Sequence, residues 1–147
     1  MSSLNKIKQL NPFARYQKGL TIQDLFPIRS DDKCACGCDK VVLGKNNRWS
    51  TKKCKHKALI QFYIIKGDTE VIRELLFRKD KGACRNCSEI TDTWEADHIV
   101  PVYYGGGGCG MKNYQTLCKD CHKEKTINMH SKEPSPSLQL QLDSLVV

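Results

Sequence analysis

Cysteine spacing and apolar periodicity together predict a small α+β fold that does not rest on a hydrophobic core alone, and three observations carry this. Two Cys-x-x-Cys pairs, Cys84-Arg-Asn-Cys87 and Cys118-Lys-Asp-Cys121, lie 30 residues apart. Val71, Ile72, Leu75 and Leu76 recur at helical spacing. Residues 31–57 hold four further cysteines and a histidine but almost no apolar periodicity, so something other than apolar burial must fold that segment.

The helix is bounded by its own chemistry. Gly67-Asp68-Thr69 supplies a break and an N-cap, Glu70 sits in the first turn, and Arg78, Lys79 and Lys81 crowd the end before Gly82, as the helix dipole favours. Its apolar stripe reads as core packing. Before it, residues 57–65 are apolar enough for a buried helix or strand.

Charge is unevenly distributed. The chain of 147 residues carries 24 Lys and Arg against 16 Asp and Glu. Residues 1–22 contain no acid, and residues 40–67 contain eight Lys or Arg and again no acid, which suits an anionic polymer as partner. There is no secretory h-region and no run of about 20 apolar residues to span a membrane. Paired thiols without a signal for export point to metal binding in a reducing, cytoplasmic-type compartment, not to disulfides.

The expected organisation is a basic N-terminal arm over 1–30, a zinc-knuckle-like segment over 31–57, a helical connector over 58–82, a core over 83–130 and a disordered Ser/Pro/Gln-rich tail over 131–147. No internal repeat is present.

Cys84, Cys87, Cys118 and Cys121 offer four soft thiolates to a tetrahedral ion, the closed donor set of structural Zn²⁺. Redox dithiols are the rival, but the βαβ context they need is missing. Between the pairs lie Glu95-Ala-Asp97-His98-Ile-Val-Pro101, a glycine-rich loop from Gly105 to Gly110, and Asn113; His122 follows Cys121 directly. On a helix, Cys118 and Cys121 share a face while His122 is turned by about 100° from Cys121, so one helix can serve two metals. A regular strand would send Asp97 and His98 to opposite faces, so a strand there must bend or end if both act at one site.

Fourteen residues separate His98 from Asn113 and eight separate Asn113 from His122. In this spacing residues 70–128 resemble the HNH endonuclease family, of the type found in phage and bacterial proteins. The resemblance implies a ββα-metal core with strands over 94–98 and 115–117 and a helix from about Lys119. It further implies His98 as general base, Asn113 as the residue orienting it, and Asp97 and His122 as ligands of a catalytic divalent ion, Mg²⁺ or Mn²⁺. Thr126 stands where some members carry a further ligand. The implied activity is metal-dependent hydrolysis of DNA phosphodiester bonds, and the implied setting is phage or bacterial. The alternative is a non-catalytic zinc module that only binds nucleic acid.

A second zinc is expected in the earlier segment, where Cys34, Cys36, Cys38, Cys54 and His56 give five candidates for four positions. The segment resembles knuckles that precede the HNH unit, in which a cysteine often follows an aromatic such as Trp49. Here that position is Ser50, and His56 could replace the missing thiolate. Lysines 40, 45, 52, 53, 55 and 57 would then form a phosphate platform. Gly105–Gly108 reads as a flexible loop, and Lys119, Lys123 and Lys125 as a solvated face or contacts to a nucleic-acid backbone. Finally, Gln23-Asp-Leu25-Phe26 and Gln141-Leu142-Asp-Ser-Leu145 faintly resemble peptides that dock on sliding clamps, which would give the chain a protein tether.

Overall fold

The computed structural model describes residues 19–44 and 47–130. The expected tail, the first 18 residues of the basic arm, Lys45 and the clamp-like peptide at 141–145 lie outside that range.

The fold begins inside the segment expected to be an arm. Helix α1 (Ile22–Leu25) opens with a capping box, in which Thr21 Oγ1 accepts from the Asp24 amide while the Thr21 amide donates to Asp24 Oδ2 at 2.8 Å. Leu25 is buried and Phe26 sets its ring edge-on to Trp49, with centroids 5.7 Å apart. Residues 23–26 are thus part of the fold, with Gln23 exposed.

Helix α2 (Lys52–Lys66) starts at Thr51, whose hydroxyl accepts from the Cys54 amide at 3.1 Å, and stops at Gly67, whose φ of 77° suits glycine. The apolar run at 57–65 is therefore helix. The expected boundary between residues 57 and 58 falls inside it.

Helix α3 (Thr69–Asp80) follows at once, capped by Asp68 Oδ1, which accepts from the Val71 amide at 3.1 Å. The stripe read from the sequence does what a stripe does. Ile72 and Leu76 join Ile64 of α2 with Trp94 and Tyr114 in one buried cluster, and Val71 and Leu75 pack against it.

Strands β1 (Glu95–His98) and β2 (Tyr114–Leu117) pair antiparallel, with Asp97 opposite Gln115 and His98 opposite Tyr114. Helix α4 (Lys119–His130) follows β2. Hairpin and helix make the ββα unit implied by the resemblance, and with the preceding helices the architecture is α+β. Thr116, fully buried, donates to Asp80 Oδ2 at 2.9 Å, tying β2 to the end of α3.

Candidate active site and its cysteine frame

The two Cys-x-x-Cys pairs meet. The sulfurs of Cys84, Cys87, Cys118 and Cys121 all lie within 4.8 Å of one another, with Cys87 and Cys118 Sγ 3.7 Å apart. A tetrahedron with bonds of about 2.3 Å has edges of about 3.8 Å, so the spacing fits four thiolates on one zinc-sized ion. Cys84 and Cys87 belong to a tight turn in which the Cys84 amide donates to the Glu89 carbonyl and the Ser88 amide to the Cys84 carbonyl, both at 2.8 Å. Burial alone would push the Cys84 thiol up, but amide donors from Cys87, Cys118 and Asn86 outweigh it and bring it down to about 6. Cys121, which accepts from Asn86 Nδ2 at 3.3 Å, stands at about 12 beside the other thiols of the cluster.

The earlier segment forms a second cluster from Cys34, Cys36, Cys38 and Cys54, with the same 4.8 Å limit on sulfur separations. His56 is not among them. Cys54 and His56 are two residues apart in the first turns of α2, and a helix turns such a pair about 200° apart, so both cannot face one ion. Ser50 takes part through its donors: its amide reaches Cys34 Sγ at 3.3 Å and its hydroxyl lies 3.4 Å from Cys54 Sγ. Hydrogen bonds from Ser50 and then Thr51 lower the Cys54 thiol to about 6. Cys109, partly buried on the glycine-rich loop, joins neither cluster; burial pushes its thiol up.

Downstream of the first strand the backbone turns away after His98, so Asp97 and His98 line one cleft with His122 despite being neighbours on a strand. The His98 ring leans on Tyr114, with centroids 4.5 Å apart. Asp97, whose side chain is only 11% exposed, divides its oxygens. Oδ2 accepts from Gln115 Nε2 at 2.7 Å and Lys125 Nζ at 2.5 Å, while Oδ1 faces His122 Nε2 at 3.5 Å. Nδ1 of His122 lies 2.5 Å from Glu95 Oε2. A proton on Nδ1 shared with Glu95 leaves the Nε2 lone pair turned towards Asp97 Oδ1, and this pair of donors fits a divalent cation. Carboxylate support of a ligating histidine in this manner is general.

The side chain of Asn113 bonds to the backbone of the loop after His98. It is fully buried, and its Oδ1 accepts from the Val100 amide at 2.8 Å while its Nδ2 donates to the carbonyls of Val100 at 3.0 Å and Gly106 at 2.8 Å. None of these bonds goes to the His98 ring. Asn113 closes the loop that follows His98, and its own carbonyl accepts from the Ile99 amide at 2.7 Å. The loop is correspondingly tight: a Cβ at Gly106 would stand 1.8 Å from the Val100 carbonyl oxygen. Flexibility is not what this glycine provides.

Thr126 bonds back to the His122 carbonyl at 2.9 Å, the usual habit of a helical threonine. Lys119 and Lys123 are exposed, but Lys125 turns inward to Asp97 and the His98 carbonyl. Glu95, Gln115 and Lys125 are the members of the site that the spacing argument misses. For Glu95 a signal existed: it stands two residues before Asp97, on the same face of a strand.

Residues 83–127 match the family model described as HNH endonuclease. This region is an HNH endonuclease domain. The mouse protein described as "DNA annealing helicase and endonuclease ZRANB3" is 36% identical over 107 residues, which is 73% of this chain and 9% of that protein. The human protein of the same description is 64% identical over 33 residues, 22% of this chain and 3% of the relative. The chain thus spans under a tenth of the length of these relatives. They are mammalian, so the phage or bacterial setting expected from the resemblance finds no support. No solved structure matches the chain. Among the described residues no helix is long and apolar enough to cross a membrane.

Proposed function

We propose that the HNH domain of this chain hydrolyses DNA phosphodiester bonds, with His98 as general base and Asp97 and His122 as ligands of a catalytic Mg²⁺ or Mn²⁺. The observation that carries the reading is the line Glu95, His122, Asp97, which presents one nitrogen and one oxygen, 3.5 Å apart, to the cleft beside His98. Two hard or borderline donors with room for water and phosphate suit these ions.

The divalent ion supplies Lewis-acid stabilisation of charge developing on the phosphate and the departing oxygen. His98 takes a proton from water, whose oxygen attacks phosphorus; the bond to the 3′ oxygen breaks, and that oxygen takes up a proton from solvent. Imidazole suits the first step because its ordinary pKa of about 6.5 leaves it a competent base near neutrality. Asn113 positions His98 indirectly, by holding the backbone at Ile99 and Val100. Lys125 and Gln115 keep Asp97 Oδ2 engaged, so that Oδ1 is the oxygen offered to the ion.

Each four-cysteine cluster holds one structural Zn²⁺ in this reading, supported by sulfur spacings that match a tetrahedral thiolate site. DNA as substrate is supported by similarity to the mammalian DNA annealing helicase and endonuclease and by the acid-free, lysine-rich stretch over 40–67.

The test incubates the zinc-loaded protein with plasmid DNA and Mg²⁺ or Mn²⁺, beside His98→Ala and an EDTA control. Cutting that needs the divalent ion and falls by about 10²-fold or more in His98→Ala is expected. Wild-type protein that binds DNA but cuts it under no metal condition is instead a binding module.

A further inference from the structure

The catalytic cleft has a wall that the family match leaves out. Helix α3 precedes residues 83–127, yet Arg73 from its exposed face lines the same cleft as Asp97, His98 and His122.

Arg73 is held in place from two directions. Its guanidinium carbon lies 4.1 Å from the centroid of the Trp94 ring, and Nη1 donates to the Trp94 carbonyl at 3.1 Å. Trp94 is itself buried in the core, and its carbonyl belongs to the residue that leads into β1. The guanidinium is therefore fixed to the strand that carries Asp97 and His98. That anchoring uses one N–H of the five an arginine offers.

The rest of its chemistry is uncommitted. Arg73 makes no ion pair among the described residues, whereas Arg29 is paired with Asp31, Arg78 with Glu74 and Lys125 with Asp97. Carboxylates are close at hand in the cleft, but His122, Gln115 and Lys125 occupy them. A planar fork of donors, stacked on an aromatic ring and left without an anion, matches phosphate geometry better than a lysine could. The bland account is that its stem only covers the face of Trp94. Covering a ring does not require a charge, and the two accounts differ in what they predict for salt.

We propose that Arg73 binds a phosphate of the nucleic-acid substrate in the catalytic cleft, so that α3 is part of the active site. The proposal rests on the nuclease reading and adds to it a substrate-contacting residue outside the HNH unit.

The experiment measures binding of a short DNA duplex across a salt series in Mn²⁺, on a His98→Ala background so that nothing is cut, and cleavage by the same variants with His98 restored. Arg73→Gln is expected to reduce the slope of log affinity against log salt by about 0.9, the loss of one phosphate contact, and to slow cleavage by about 10²-fold. Arg78→Gln, on the same helix but paired with Glu74, is expected to change neither. Arg73→Lys is expected to keep the slope and still cut more slowly, since it retains charge but not the fork. If Arg73→Gln does not fold, Arg73→Lys decides by its cleavage rate. An unchanged slope with wild-type cleavage in Arg73→Gln, or wild-type cleavage in Arg73→Lys, overturns the Arg73 assignment while leaving the nuclease reading standing. A wild-type protein that neither binds nor cuts DNA removes both.

Discussion

The two cysteine clusters gather the same donors by different routes. In the cluster at Cys34, Cys36, Cys38 and Cys54, three sulfurs come from one short stretch of chain, and the fourth from the first turn of α2. In the cluster at Cys84, Cys87, Cys118 and Cys121, the sulfurs come two by two from a turn before the hairpin and from the start of α4. The first cluster anchors one end of a helix. The second closes the ββα unit on itself, since the Arg85 amide donates to the Thr116 carbonyl at 2.8 Å and the His122 amide to the Cys118 carbonyl at 3.0 Å. A structural ligand and a candidate catalytic ligand thus share one helical hydrogen bond. The same donor set acts on local helix formation in one region and on active-site geometry in the other.

That contrast can be broken in steps. The largest effect is expected for Cys118→Ser. Structural zinc binds such sites with about 10–16 kcal/mol, comparable to the whole stability of an ordinary domain at about 5–15 kcal/mol. Loss of cooperative thermal unfolding and of all DNA cleavage is expected, and a folded, active Cys118→Ser protein would show that the hairpin holds itself together. Cys54→Ser comes next: zinc content is expected to fall by one ion per chain, with fraying of the start of α2 in hydrogen exchange but cleavage retained at a reduced rate. Equal loss in both variants would erase the distinction between the clusters.

Glu95→Ala leaves both four-cysteine clusters intact and touches only the support of His122. The Mn²⁺ concentration for half-maximal cleavage is expected to rise about 10- to 100-fold, as for other partners of ligating histidines, with zinc content unchanged. The smallest effect belongs to His56→Ala, for which zinc content and cleavage are expected to equal those of the wild type. A lost ion there would mean that His56, and not one of the four sulfurs, completes the first cluster.

Much of this was legible in the sequence where spacing and periodicity are strict. Helix α3 followed from its cap, its stripe and its charges, and the meeting of two Cys-x-x-Cys pairs followed from ligand chemistry. That Asp97, His98 and His122 line one cleft agrees with what the family resemblance implies for them. What stayed hidden depends on where a segment begins or on which atom a side chain meets. His56 was a candidate because the start of α2 was not placed, and without the helical phase the choice between Cys54 and His56 stays open. Asn113 was assigned to His98 by resemblance, but its amide meets the backbone of Val100 and Gly106, a partnership set by loop closure. Arg73 stands in no motif or spacing pattern of the sequence. Only the position of Trp94 singles it out.

The Gly106 contact and the junction of Cys121 with His122 set unequal demands on chain length. One residue inserted after Cys121 would carry His122 about 100° around α4, away from Asp97 while leaving the thiolates in place. Residues added beyond Gly107, where Asn113 has already fastened the loop at Val100 and Gly106, would only lengthen an excursion closed at its base. Insertions and deletions in related chains should therefore gather in the glycine loop and be absent between the last cysteine and the last histidine.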